Sequence, residues 1–194
     1  MVIENFGVWS YVIMWAVIFV ETGLVIMPFL PGDSLLFAAA AFAGATASQG
    51  GFDIFTLWWT LVLAAFLGDT VNYWIGHSIG EKAFSMNNKF LKKVYLGKAQ
   101  AFYEKHGGKA IVLARFVPIV RTFAPFVAGV GKMNYGKFIL YNFVGGLTWV
   151  TAFLMAGFFF GNIPLVKDNF HYVALGIVLV SVVPIGMEMR NGKR

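Results

Sequence analysis

Residues 110–130 read Ala-Ile-Val-Leu-Ala-Arg-Phe-Val-Pro-Ile-Val-Arg-Thr-Phe-Ala-Pro-Phe-Val-Ala-Gly-Val. The stretch approaches the length of about 20 apolar residues that spans a bilayer. Two prolines, Pro118 and Pro125, interrupt it, and Arg115 and Arg121 sit within it. Lys105 and Lys109 precede it, and Lys132 and Lys137 follow it. Lysine and arginine gather in cytoplasmic loops, so both ends are expected on that side. The segment then enters and leaves the membrane on one face, as a re-entrant hairpin. Proline removes a backbone donor and blocks helix continuation. In hydrocarbon the freed carbonyls must face protein or a water-filled cavity. A pair of kinked packing helices is the plainer alternative.

The rest of the chain fits this setting. Charged residues are 12% of the 194 positions and apolar ones 59%. A soluble domain carries about twice that charge. The apolar residues fall in runs at 8–30, 35–47, 54–75, 110–130, 138–160 and 171–187. The third, fifth and sixth are near spanning length, and their backbones must bond internally, which predicts helices. Nothing alternates as a membrane β-barrel would. There is no cysteine, which excludes disulfides and thiolate metal sites. Ala45-Thr46-Ala47 resembles a signal-peptidase site, but no Lys or Arg precedes the apolar stretch and Glu21 and Asp33 interrupt it. The N-terminal segment is therefore expected to be retained.

The net charge of +6 is unevenly spread: residues 1–81 hold six acids and no Lys or Arg, whereas 82–194 hold all fifteen bases and three acids. Seven lysines lie between Lys82 and Lys109. These bases flank apolar segments, which argues for cytoplasmic loops and against a nucleic-acid surface. On that basis 82–109 and the C-terminus are inside, 54–75 runs inward, 138–160 runs outward and 171–187 returns. The stretch 8–47 is a second hairpin, entered from outside. Within the loop, Phe90, Leu91, Val94, Tyr95 and Phe102 share a helical face, with Asn87 or Asn88 as cap. This basic amphipathic helix either lies on anionic headgroups or packs on the protein.

The first hairpin mirrors the second. Glu21 and Arg115 stand 94 positions apart, as do Pro31 and Pro125; Phe66-Leu67-Gly68 and Phe143-Val144-Gly145 stand 77 apart, as do Gly80 and Gly157. Each half reads as a proline-broken segment (Pro28, Pro31 and Gly32 in the first) followed by a glycine-bearing span. The fold class is therefore all-α and integral to the membrane. Two oppositely oriented re-entrant hairpins and transmembrane helices form an inverted repeat, a recurring transporter design. It is expected as a single membrane domain over 1–194: half one about 8–80, the amphipathic linker 81–109, half two 110–161 and a last helix 170–189.

Five charges lie inside these segments: Glu21, Asp33, Asp69, Arg115 and Arg121. Each costs about 2.5–3.5 kcal/mol at the bilayer centre if unpaired. They must pair or face water. Glu21–Arg115 and Asp33–Arg121 are the natural cross-pairs, and plain buried salt bridges are one reading of them. The other is functional: the arginines bind an anion, for which the guanidinium fork suits phosphate, and a carboxylate carries a proton. Ser34, Tyr73 and Asn142 are candidate cavity-lining residues. Gly145-Gly146, Gly157 and Gly161 read as close helix contacts, and Trp58, Trp59, Tyr73 and Trp74 as an aromatic belt.

At these residues the chain resembles the DedA family of bacterial inner-membrane proteins, also called the SNARE-associated or VTT-domain family. The matching features are Glu21, Phe-Leu-Pro-Gly-Asp-Ser at 29–34, Gly-Asp-x-x-x-Tyr at 68–73 with Gly76 and Gly80, Arg-Phe-x-Pro-x-x-Arg-x-x-x-Pro at 115–125, Ala128-Gly129, and Phe138, Asn142, Gly145-Gly146 and Trp149. The region before the first hairpin is short for that family, so a leading helix is expected to be missing. The resemblance implies two facing hairpins, a multi-pass inner-membrane location and lipid transport. In bacteria that transport is linked to undecaprenyl phosphate recycling and the proton-motive force. It also implies that Glu21, Asp33, Arg115 and Arg121 form the essential charged set.

Two other transport readings share the same charges, a non-selective phospholipid scramblase and a proton-coupled small-solute or ion exporter. An enzyme is not expected, because Ser34 lacks a nearby base and a nucleophile elbow. His77, His106 and His171 make no metal-binding cluster, and no cofactor motif is present. The expected partners are an anionic polyprenyl phosphate, protons and the bilayer, with a homo-oligomer left open.

Overall fold

The computed structural model describes residues 2–24, 32–46, 51–79, 93–169 and 172. Pro28, Pro31, the expected cap at Asn87 or Asn88, most of the lysine-rich loop and, except for Tyr172, the apolar run 171–187 lie outside them. Among the described residues there is no strand.

The helices are α1 (Val2–Gly23), α2 (Gly32–Thr46), α3 (Ile54–Ile79), α4 (Lys93–His106), α5 (Ala110–Ala114), α6 (Pro118–Val130), α7 (Tyr135–Gly161) and α8 (Pro164–Asp168), with a 3₁₀ turn at Gly107–Lys109. α3 and α7 are 26 and 27 residues long and apolar enough to cross a membrane. At about 1.5 Å per residue each exceeds the hydrocarbon thickness. Phe55, Trp59, Leu63, Leu67, Val71 and Trp74 form an exposed stripe along α3, and Leu140, Phe143, Val144, Met155 and Phe159 are exposed on α7. In water such stripes would be an aggregation surface; against lipid tails they cost nothing. Asp53 caps α3, its Oδ1 accepting hydrogen bonds from the backbone N–H and hydroxyl of Thr56, both at 2.7 Å. The Thr56 hydroxyl and then its N–H hold the Asp53 carboxyl below its ordinary value.

The stretch 110–130 breaks at one place, not two. The backbone N–H groups of Arg115, Phe116 and Val117 bond three residues back, to Val112, Leu113 and Ala114, a 3₁₀ tightening that ends α5. Val117 is then extended (φ −116°, ψ 105°), as a residue before proline prefers. Pro118 opens α6 near its first position, where its missing N–H costs nothing. Pro125 lies inside α6 without breaking it. It removes a single bond, and this helix is enclosed by protein: every residue from Thr122 to Val130 is buried. Neither α5 nor α6 has the length to cross a bilayer.

α6 ends in a Schellman motif. Met133 N–H reaches Ala128 C=O and Lys132 N–H reaches Gly129 C=O, both at 2.9 Å. Lys132 occupies the left-handed position at φ 52°, where a Cβ costs about 1–2 kcal/mol. Glycine would relieve that at an unfolded-state entropy cost of about 0.5–1 kcal/mol. Lys132→Gly is therefore expected to raise the thermal midpoint in detergent by about 2 °C, measured by differential scanning fluorimetry; a fall would contradict the strain.

The chain forms two compact units, Met1–Met14, Pro31–Thr60 and Val150–Arg194 in the first, Trp15–Leu30 and Leu61–Trp149 in the second. In the second, Tyr73, Ile111, Phe123, Phe126 and Phe138 are central to the core. α4 packs on α5 and α6, and its Tyr103 reaches that core. So α4 packs on the protein; the face expected from the sequence lies outside the described side chains.

Each unit contains a tight helix crossing built on glycine. In the second, a Cβ on Gly129 would collide with Tyr73 C=O, and one on Gly76 with Phe126 C=O. In the first, a Cβ on Gly44 would lie 2.5 Å from Phe158 O, and one on Gly161 would collide with Ala41 C=O. These contacts repeat at an offset of 85 (129 against 44, 158 against 73, 161 against 76, 126 against 41). The offsets of 94 and 77 expected from the sequence do not relate them, because those align the breaks and glycines without regard to which residues touch.

Candidate functional site

The site lies within the second unit. It begins with one face of α3, where Ala65, Gly68, Asp69, Asn72, Tyr73 and Gly76 are all buried at spacings of three and four, a single helical stripe. Gly68 admits the end of α1: a Cβ there would lie 2.9 Å from Phe19 O and 3.1 Å from Gly23 N. Gly76 admits α6 in the same way. The stripe thus carries an acid and an amide between two helices that bring their own charges.

α1 brings Glu21, in its last turn and 2% exposed. α6 brings Arg121, one turn past the Val117 break, its N–H bonded to Val117 C=O at 2.9 Å. Arg121 Nη2 donates to Glu21 Oε1. Arg115, at the end of α5, donates from Nη2 to Asp69 Oδ2 and to Asn142 Oδ1, each at 2.6 Å. Asn142 is oriented in turn by its amide, which donates to Phe66 C=O at 3.0 Å. The Arg115 guanidinium lies along α7 where residues 145 and 146 have no side chain. A Cβ on Gly145 would lie 3.1 Å from Arg115 Nε, and one on Gly146 3.4 Å from Nη2. The glycine pair seats the guanidinium, and at Gly145 it also admits the α5 backbone, a Cβ there lying 3.2 Å from Val112 Cα. Arg115 Nε is buried and has no hydrogen-bond partner among the described residues. Both guanidinium carbons face Trp149, at 5.9 Å for Arg115 and 5.4 Å for Arg121, within cation–π range.

The expected pairs are therefore exchanged. Glu21 takes Arg121, not Arg115, and Arg115 takes Asp69. The reason is local: the 3₁₀ turn directs Arg115 toward α3 and the glycine seat, while the restart at Pro118 carries Arg121 to the end of α1. Asp33 and Ser34 belong to the first unit, in the first turn of α2, with Gly32 as its first residue. Tyr73 is buried with its hydroxyl donating to Met133 C=O, which ties α3 to the turn after α6. Asn142 supports Arg115 from behind.

Glu21, Thr22, Asp69, Arg115, Arg121, Thr122 and Trp149 line a cavity of about 10 Å³. That is roughly the space of one water. Two acids and two bases thus face one small chamber. Asn72 escaped the sequence reading. The signal available was its place in the stripe, one turn beyond Asp69, as an amide inside an apolar span.

Residues 30–159 match the VTT domain. The chain is 51% identical to Protein DedA of Escherichia coli K12 over 193 residues, covering 99% of this chain and 87% of that protein. It is 42% identical over 179 residues to an uncharacterised membrane protein of Mycobacterium leprae, covering 92% of this chain and 78% of the relative. It is 32% identical over 176 residues to the inner membrane protein YghB of Escherichia coli K12, covering 89% and 77%. No solved structure matches the chain.

Proposed function

Because the chain belongs to the DedA family of membrane proteins, we propose that it is a transporter that moves an anionic lipid, undecaprenyl phosphate or a related polyprenyl phosphate, across the bacterial inner membrane, coupled to the movement of protons. One observation carries this reading. Two arginines from a broken helix converge on one small chamber, each held by a carboxylate. Guanidinium groups are suited to a phosphate monoester. A space of about one water cannot hold a phosphoryl group, so the present arrangement is a shut one. Opening lets the headgroup replace a carboxylate on arginine, and the displaced carboxylate takes up a proton. The lipid-facing stripes of α3 and α7 give the apolar tail a path that never leaves hydrocarbon. In this reading both broken segments are re-entrant hairpins of opposite orientation, with the C-terminus cytoplasmic. No covalent step is needed.

The test is transbilayer movement of undecaprenyl phosphate in liposomes carrying the purified protein, with and without an imposed pH gradient, beside Arg115→Gln. Movement specific to that lipid, lost in the variant and faster with the gradient, is the expected result. Equal movement of ordinary phospholipids makes the protein a scramblase. No lipid movement hands the charged chamber to a small-solute or ion exporter.

A further inference from the structure

The amide of Asn72 makes two bonds that bracket the second ion pair. Its Nδ2 donates to Thr22 C=O at 2.9 Å and to Thr122 C=O at 2.8 Å. Thr22 directly follows Glu21, and Thr122 directly follows Arg121. One nitrogen therefore holds the backbone beside each member of the pair. We infer that Asn72 is a positioning residue: by clamping these two carbonyls it fixes the register in which the Glu21 carboxylate meets the Arg121 guanidinium. The inference rests on the reading of this cluster as the transport site.

Three features support it. First, the carbonyl at Thr22 belongs to the last turn of α1, whose carbonyls lack partners within the helix. A donor there sets where the helix end lies. Second, Asn72 is fully buried, and its Oδ1 has no hydrogen-bond partner among the described residues. A buried acceptor left unsatisfied costs stability, and an apolar residue of the same shape avoids that cost. The amide is thus poorly suited to a purely structural role, and its donor end accounts for its presence. Third, Asn72 lies one turn from Asp69 on the same stripe of α3. One helix therefore grips Arg115 by a side chain and the Glu21–Arg121 pair through the backbone. Arg115 has its own supports in Asp69, Asn142 and the glycine seat.

The test compares Asn72→Leu in three backgrounds: wild type, Arg121→Gln and Arg115→Gln. In the liposome assay with undecaprenyl phosphate, Asn72→Leu is expected to lower the transport rate by roughly tenfold in the wild-type background. With Glu21 or Arg121 already neutralised, the further loss should be less than about twofold, the non-additivity of groups that act as a unit. A full further loss in the Arg121→Gln background, or wild-type transport by Asn72→Leu, would overturn the inference. A second readout does not depend on transport. The shift in thermal midpoint caused by Asn72→Leu should differ by about 2 °C or more between wild type and Arg121→Gln, but not between wild type and Arg115→Gln. Equal shifts in all three refute the clamp. If Arg121→Gln does not fold, Glu21→Gln disrupts the same pair. A wild-type protein that moves no polyprenyl phosphate defeats the proposed function, and the midpoint comparison still decides the role of Asn72.

Discussion

Arg115→Leu is expected to cost about 3–5 kcal/mol of unfolding free energy, because it leaves the Asp69 carboxylate buried without its partner. The Asp69 and Arg115 side chains are each only 5% exposed, so water cannot take the place of the guanidinium. The double variant Asp69→Leu/Arg115→Leu should recover most of that loss, since apolar residues of similar volume often match or better a buried ion pair. The recovery will fall short by about 1–3 kcal/mol, because Asn142 Oδ1 loses its donor. Chemical or thermal unfolding in detergent measures all three proteins. Transport should not return in the double variant. A double variant that is stable and still moves lipid would show that this pair only holds the fold together.

The second large effect concerns the helix crossings. Gly129→Ala and Gly76→Ala each push a methyl group into a backbone carbonyl of the opposite helix, and a carbonyl cannot step aside as a flexible side chain does. Overpacking of this kind costs about 1–3 kcal/mol, sometimes more. Gly44→Ala and Gly161→Ala should behave alike in the other unit, where the same contacts recur. Gly7→Ala and Gly97→Ala are the controls. Nothing lies within 4 Å of a Cβ at either position, and alanine in a helix gains about 0.5–1 kcal/mol over glycine. Thermal midpoints should therefore fall at the four crossing positions and hold or rise at the two controls. A uniform response to all six would mean that the glycines serve flexibility rather than approach.

The membrane setting and the identity of the charges were legible in the sequence for a simple reason. A charge inside an apolar run is costly, so its presence announces itself: Glu21, Asp69, Arg115 and Arg121 all stood out, and the structure brings these four together. Their pairing was not legible. It depends on where the backbone turns between Arg115 and Pro118, and a shift of one residue in a 3₁₀ turn redirects a side chain by about 120°. Pro125 was read as a break because proline rules describe a helix in isolation, whereas α6 is enclosed by its neighbours. Gly145-Gly146 signals a close approach without saying of what: at Gly145 it is both the α5 backbone at Val112 and the Arg115 side chain. Asn72 was passed over because a neutral amide is cheaper than a charge, and its meaning lies in two carbonyls 50 positions away on either side. The linker helix could lie on lipid or on protein by its sequence alone, and it is the contact of Tyr103 with the core that places it on protein.

The four charges around the chamber also bear on energy supply. With both acids ionised, two carboxylates and two guanidiniums sum to zero. An empty chamber that changes the side it opens to therefore moves no net charge through the membrane field, and the voltage does no work on it. A monoanionic headgroup carried in the same motion adds one charge, worth about 2.3 kcal/mol per 100 mV. In the proposed cycle, a proton taken up by the displaced carboxylate would cancel that charge again. Neutral bookkeeping at the site would let such a protein run on the acidity difference across the membrane while remaining indifferent to its voltage.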